Sequence, residues 1–367
     1  MTGPTGPMFA IGRREHIMEE LRRSGSVMVR ELATRLGVTE ITIRRDITAL
    51  ADRGLVTRVH GGATLRSALD TTVARNPDAS GPPLYRVGMV VPSLSYYWPQ
   101  IVNGARAAAA AGRVQLVLRG ASYDPADQRR QIAALLESGV HGLLVAPEVG
   151  GRDGLAILTW LDALDVPVVL VERRAPHSAA LRRVEWVSTD HEFGAKMAVN
   201  HLYEQGHRRI GLALARDSPT APQLRLGWEQ ALAELGLDTS GVVAATLTDI
   251  EGAERDERFG EIVSACRDTG TTALIVHADP QAILFEHHCT DHGIDIPRDL
   301  AIVAYDDEVA ENGTPPISAL RPAKEHIGRL AFETMTTRLR EPSRPIQRTV
   351  VLPELNVRES SAARRGA

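Results

Sequence analysis

Thr39-Glu40-Ile41-Thr42-Ile43-Arg44-Arg45-Asp46-Ile47, followed by Gly54-Leu55-Val56-Thr57-Arg58-Val59-His60-Gly61-Gly62-Ala63, decides how the first part of this chain folds. The Thr39 hydroxyl caps a helix by accepting from the Thr42 amide. Ile43, Ile47 and Leu50 recur on one face of that helix. Arg45 lies roughly opposite, with Thr42 and Arg44 on its flanks. Upstream, Arg13 to Ser24 reads as a first helix with Ile17, Met18 and Leu21 as its buried stripe, ended by Gly25. Val29 to Leu36 reads as a second, short helix with Leu32, Ala33 and Leu36 inward, and Gly37-Val38 makes the turn. Gly54 stops the third helix. Beyond it Val56, Arg58 and His60 alternate with Leu55, Thr57 and Val59, so Arg58 and His60 share one face of a strand. Gly61-Gly62 lets the strand turn back without a steric penalty.

Arginine on the open face of such a helix can bond phosphate or the O6/N7 edge of guanine, and a threonine methyl can touch thymine. One Arg-Arg pair on a helix is by itself a solvated face. The cap, the turn, the opposed arginines and the hairpin wing together point to DNA. The candidate contacts are Thr39, Thr42, Arg44, Arg45, Arg58, His60 and Gly61. Charge agrees: residues 1–63 hold ten Arg against seven acids, or +3, within a chain of net charge −4. The rest therefore carries −7, and a basic head on an acidic body suits a localised nucleic-acid contact.

At 367 residues the chain suits two or three domains. Two cysteines, Cys266 and Cys289, make no disulfide scaffold and fit a reducing cytoplasm. No apolar run approaches the roughly 20 residues that span a bilayer, so no membrane association is expected. Residues 1–10 are Gly/Pro/Thr-rich without an apolar core, which reads as a disordered terminus rather than a secretory signal. Residues 64–84 contain Asn76-Pro77-Asp78-Ala79-Ser80-Gly81-Pro82-Pro83 and read as a linker. Thr64 to Ala74 reads equally as linker or as a short helix against the wing.

From Tyr85 the pattern changes. Short apolar runs (Val87–Val91, Val114–Leu118, Gly142–Val145, Val168–Val171, Ile210–Leu214, Ala273–Val276, Leu300–Ala304) alternate with helix-like runs at Gln100–Ala111, Ala126–Glu137, Gly194–Glu204, Leu226–Leu235 and Gln281–His292. That alternation predicts parallel sheets in an α/β fold, and the length of the body predicts two Rossmann-like lobes. Ligands on such sheets sit beyond the carboxyl ends of strands. Those ends carry Ser95, Tyr96, Tyr97 and Trp98 after the first run, then Glu172-Arg173, Asp190, His277-Ala278-Asp279 and Asp306-Asp307. Three consecutive aromatics in a chain with 4% aromatics offer either a stacking face for a sugar or a core plug. Each carboxylate is by itself a helix cap or surface ion pair; their shared location favours a site.

The run from Arg14 to Ala63 resembles the winged helix-turn-helix of the deoxyribose-operon-repressor (DeoR) family, through Thr42-Ile43-Arg44-Arg45-Asp46 and the Gly54-to-Ala63 wing. Threonine replaces that family's usual serine cap. Arg86 to Ser360 resembles the sensor of the lactose-repressor (LacI) family, itself similar to periplasmic sugar-binding proteins. The pieces are Val90-Val91-Pro92-Ser93-Leu94-Ser95, Leu202 to Ile210, Ile302-Val303-Ala304-Tyr305-Asp306-Asp307 and Leu352 to Ser360. The resemblance implies effector contacts at Asp306, Glu172, Tyr97 and Trp98, and at Arg225, although Gly227 comes one residue earlier than in that family. Lys324 stands where many members place an aromatic lid. The pairing is a hybrid: DeoR-type heads usually precede a sugar-phosphate-isomerase-like sensor, and LacI-type sensors usually follow a different head and a hinge helix.

The expected organisation is thus a winged helix-turn-helix over 11–63 and a periplasmic-binding-protein-like sensor over 85–360. Its first lobe takes about 85–189 and 321–347, its second about 190–320 and 348–360. The function implied is that of a cytoplasmic, dimeric, sequence-specific DNA-binding regulator, a repressor, controlled by a sugar held between the lobes. The effector set is Ser95, Tyr96, Tyr97, Trp98, Glu172, Arg173, Asp190, Arg225, Asp279 and Asp306. Carboxylates accept hydroxyls and repel phosphate, and no Gly-rich phosphate loop follows any strand, so a neutral sugar is expected. The rival readings are a carbohydrate-active enzyme and a non-regulatory sugar-binding protein with an accessory head. No phosphate loop, HExxH or nucleophile elbow supports an enzyme. His287-His288-Cys289-Thr290-Asp291-His292 lacks a third ligand at metal spacing and reads as a solvated helix face or subunit contact. No metal or cofactor is expected.

Overall fold

The computed structural model describes residues 10–24, 26–52, 56–59, 62–65, 83–92, 94, 96–176, 179–216, 218–238, 241–247 and 253–362. The expectations for residues 1–9, for linker residues 66–82, and for Gly25, Gly54, Leu55, His60, Gly61, Ser93 and Ser95 lie outside the described residues, as does the side chain of Arg58.

The head begins with α1 (Ala10–Ser24), β1 (Ser26–Met28), α2 (Val29–Arg35) and α3 (Glu40–Asp52), and continues into β2 (Val56–Val59) and β3 (Gly62–Leu65). Its core is the one the periodicity marks: Ile17, Met18, Leu21, Leu32, Ala33, Leu36, Ile43, Ile47 and Leu50 are all buried. The wing strands pair antiparallel, Val56 opposite Leu65 and Val59 opposite Gly62. One feature is additional: β1 adds a third strand on the far side of β3, Val27 opposite Ala63. Three residues are too few to show an alternation, which is why pattern reading passes over it. The first helix also starts three residues before Arg13.

The body then runs β4 (Tyr85–Val91), α4 (Trp98–Ala110), β5 (Val114–Gly120), α5 (Pro125–Glu137), β6 (Gly142–Val145), α6 (Gly151–Asp162), β7 (Val168–Val171) and β8 (Glu185–Thr189). It continues as α7 (His191–Glu204), β9 (Ile210–Ala215), α8 (Ala221–Glu234), β10 (Ala244–Leu247), α9 (Ala253–Thr269), β11 (Ala273–His277), α10 (Asp279–Asp291), β12 (Ala301–Tyr305) and β13 (Ser318–Arg321). Last come α11 (Lys324–Arg340), β14 (Arg348–Val351) and β15 (Glu354–Asn356).

Two compact units result. One comprises Met1–Ser188 with Lys324–Thr349, the other Thr189–Ala323 with Val350–Ala367. In the first, the body strands form one sheet ordered β14-β8-β7-β6-β4-β5; in the second, the order is β10-β9-β11-β12-β13-β15. Pairings within β4 to β8 and within β9 to β13 are parallel. β15 closes its sheet antiparallel to β13. In each sheet the first strand of the unit lies between the second and the third, the doubly wound order whose reversal point marks a ligand crevice. The α/β reading therefore holds. The strands that no apolar run marks, β8, β10, β13, β14 and β15, run three to five residues and mostly lie toward sheet edges.

In the first unit α4 and α11 cross at backbone contact. A methyl group at Gly104 would run into the Glu325 carbonyl, and one at Gly328 into the Ile101 carbonyl. Only glycine permits this approach, and it fixes where the first residues of both helices, Trp98 and Lys324, stand. Lower in the same unit, Glu185 is buried and accepts from Arg338, Arg344 and the Gln347 amide, which ties the segment after α11 to β8.

Candidate DNA-reading surface and effector-contact residues

On the head, the Thr39 hydroxyl accepts from the Thr42 amide at 3.2 Å and meets the Thr42 hydroxyl at 2.9 Å. The expected cap is present, and it fixes the first turn of α3. Arg44 and Arg45 are exposed; Arg44 bonds Glu40 at 3.1 Å. Asp46, the last residue of the Thr-Ile-Arg-Arg-Asp run, points inward. It is 2% exposed and accepts from Nε of Arg13 at 2.8 Å and of Arg14 at 3.0 Å. Two of the head's ten arginines thus hold α3 against α1, while Arg44 and Arg45 stay outward.

In the first unit the strand ends converge on a cluster. Tyr97 donates its phenol to Glu172 Oε1 at 2.7 Å. Arg173 lies with its guanidinium 5.4 Å from the Trp98 ring centroid. It donates Nε–H to the Pro147 carbonyl at 3.1 Å and Nη1 to the Glu172 carbonyl at 2.8 Å. The Lys324 ammonium lies 5.2 Å from the Tyr97 ring centroid. Tyr97 and Trp98 pack edge to face. Trp98 is buried, which joins the core-plug reading to the site reading: its ring supports the half-buried Tyr97.

In the second unit Asp279 is fully buried. Its carboxylate accepts from the backbone amides of Asp307, Glu308 and Val309. It therefore shapes the turn after β12. Burial raises the Asp279 carboxyl to about 6, against the three amide donors that pull the other way. Asp307 is held by Asn356 and by Arg358 at 2.8 Å, so the Leu352-to-Ser360 segment anchors that turn from the other side. Asp306 itself is 5% exposed. Asp190 caps α7 by accepting from the Phe193 amide at 3.1 Å. Arg225 is half-buried one turn into α8, and that helix is seated by Gly227 against the Glu192 carbonyl.

His191, His277 and Tyr305, which the expected effector set leaves out, form one group. His191 Nδ1 and the Tyr305 hydroxyl are 2.6 Å apart, and the His277 ring packs against Tyr305. His277 Nδ1 is buried without a hydrogen-bond partner. Burial, with His191 beside it, lowers its pKa to about 3, so it is neutral at ordinary pH. The available signal was position: His277 ends β11 and His191 opens α7. His288 and His292 stack at 4.2 Å, and among the described residues no group of three His, Cys, Asp or Glu is placed to hold a metal.

Backbone strain marks the same places. Among the described residues, the non-glycine residues with positive φ are Tyr96 (57°), Glu172 (53°), Asp306 (105°) and Asp307 (51°). All follow the carboxyl ends of parallel strands. Such conformations cost about 1–3 kcal/mol each and persist where surrounding structure enforces them, commonly at ligand sites.

A winged helix-turn-helix joined to a two-lobed parallel α/β body defines a DNA-binding transcription regulator. Residues 13–68 match the family model of the DeoR-like helix-turn-helix domain. Residues 85–255 match that of the periplasmic binding proteins and sugar binding domain of the LacI family, and residues 199–361 that of a periplasmic binding protein-like domain. The body is thus similar to the sugar binding domain of the LacI family, and the head to the DeoR-like helix-turn-helix domain. It is 23% identical over 280 residues to the HTH-type transcriptional regulator DegA of Bacillus subtilis, covering 75% of this chain and 80% of that one. With the arabinose metabolism transcriptional repressor of Geobacillus stearothermophilus it shares 24% identity over 339 residues, 90% of each chain. A LacI family transcriptional regulator from Enterococcus faecium with bound ribose superposes with a TM-score of 0.62 at 18% identity, over 76% of this chain and 99% of that one. Among the described residues no helix is long and apolar enough to cross a membrane.

Proposed function

We propose that the chain is a repressor that acts on DNA as a homodimer in the cytoplasm, and that a small neutral carbohydrate controls its operator affinity. The observation that carries the effector assignment is the coincidence of strained backbone with aromatic and carboxylate side chains at the strand ends: Tyr96, Glu172 and Asp306 all have positive φ. Tyr97 supplies an apolar face for sugar C–H groups, and the buried Trp98 ring backs it. Glu172 and Asp306 accept hydroxyl hydrogens. Arg173 spends N–H groups on backbone carbonyls, which suits orienting the cluster better than gripping phosphate. Asp279 and Asp190 act by shaping their loops, and Arg225 by its place on α8. A relative named for arabinose metabolism and a structural neighbour holding ribose support a sugar as the class. On the head, Thr42, Arg44 and Arg45 enter the major groove, with Arg58 and His60 of the wing at the backbone or minor groove. The head occupies 11–63 and the sensor 85–360.

Calorimetric titration of the whole protein with neutral pentoses, hexoses and disaccharides, alongside their phosphates, tests the reading. Heat with a neutral sugar, abolished by Asp306→Ala in a folded variant, is the expected result. Tight binding of a sugar phosphate that survives Asp306→Ala overturns both the ligand class and the site.

A further inference from the structure

Ile41 is 70% exposed, the most open large apolar side chain among the described residues. It occupies the second position of α3. Counting about 100° per residue, the buried Ile43, Ile47 and Leu50 lie roughly 180–240° around the helix from it. Ile41 therefore stands at the centre of the outward face, with Arg44 on one side and Arg45 on the other. Its polar neighbours already have partners. Thr42 bonds Thr39 through both its amide and its hydroxyl, Glu40 bonds Arg44, and the Thr48 hydroxyl bonds the Arg44 carbonyl. A branched apolar residue gains nothing from water and is a mediocre helix former. Its place between two arginines matches a surface that carries both negative charge and an apolar feature.

We infer that Ile41 is a specificity-determining contact of the head, reading the 5-methyl group of a thymine in the major groove two base-pair steps from a guanine held by Arg45. The thymine methyl is the apolar mark on that groove's edge, and arginine pairs with guanine O6/N7. Ile41 and Arg45 are four residues apart, about 6 Å along the helix, close to two base-pair steps at roughly 3.4 Å each. The inference rests on the DNA-reading role of residues 13–68 and goes beyond it by naming a base contact outside the Thr-Ile-Arg-Arg-Asp run.

The test uses the full chain and duplexes enriched from a randomised library. In an enriched duplex each thymine is replaced singly by deoxyuridine, which removes only the methyl. Wild-type protein should lose about fourfold in affinity at one or more positions, the value of one buried methyl-sized group. Ile41→Ala, folded by circular dichroism, should bind the parent duplex correspondingly more weakly and be indifferent to those uracils. Ile41→Val should restore the discrimination. Wild-type indifference to every uracil, or equal sensitivity in Ile41→Ala, overturns the assignment. So does an Ile41→Ala variant with unaltered duplex preference and a changed mass in sedimentation, which would make Ile41 a protein contact. Failure to enrich any duplex overturns the DNA-reading role of the head itself.

Discussion

Tyr97 donates its phenolic hydrogen to Oε1 of Glu172 across 2.7 Å, joining the residue before α4 to the residue that follows β7. Glu172 is 3% exposed and sits at positive φ, so the bond holds a carboxylate that the backbone alone does not favour in that place.

Tyr97→Phe keeps the ring face and removes the donor. A hydrogen bond to a charged group contributes about 1.5–3 kcal/mol. Thermal unfolding should show a loss of about 1–2 kcal/mol, and calorimetry about a tenfold weaker affinity for the neutral sugar proposed as effector. Unchanged values of both would remove Tyr97 from the site.

For the head, Arg45→Ala should cost about 1–3 kcal/mol of duplex binding if the side chain reads a base. Arg44, shared with Glu40, should cost less. An Arg44/Arg45 double alanine variant that remains folded yet keeps full affinity for a selected duplex, measured by fluorescence anisotropy, would refute the recognition-helix assignment.

Asp279→Ala leaves the amides of Asp307, Glu308 and Val309 without their acceptor. Unsatisfied buried donors cost about 1–3 kcal/mol each, and water reaching this half-buried turn recovers part of that. We expect about 2–4 kcal/mol lost in urea unfolding, with Asp279→Asn milder because one carbonyl oxygen remains. A neutral outcome for Asp279→Ala would mean that Asn356 and Arg358 hold the turn alone.

His277 gives the fold a pH dependence. Its pKa in the folded protein is lowered to about 3 from 6.5. Between those values the unfolded chain binds a proton that the folded protein does not, so stability rises with pH across the window and falls as pH drops below about 6.5. His201, also lowered by burial, acts with the same sign. His277→Leu should therefore show a flatter loss of stability between pH 7.5 and 4.5 than wild type, read from urea midpoints. Parallel profiles would show that His277 is not the titrating group.

The chain's local order was legible because period and punctuation agree. Thr39 as a cap and Ile43, Ile47 and Leu50 as a stripe mark the recognition helix from neighbours a turn or two apart. Apolar runs such as Gly142–Val145 and Val168–Val171 lie at the centre of a sheet and are buried throughout, so composition alone marks them. The strand-end candidates were legible for the same reason: in a parallel sheet, the residue after the run is the one at the crevice. What each candidate does there depended on partners far away in the chain. Asp279 meets the amides of 307–309, Asp307 meets Arg358, Tyr97 meets Glu172, and Asp46 clamps Arg13 and Arg14. Periodicity reports which face of an element is apolar, a property of neighbours three or four residues apart. Hydrogen-bond partners separated by tens of residues are chosen by packing, and the short edge strands by the sheets that receive them. The sequence by itself therefore determined the head, the α/β body and the strand ends at which candidate residues gather; the tertiary structure decided what each carboxylate there accepts from, the Tyr97 phenol for Glu172 and backbone amides for Asp279.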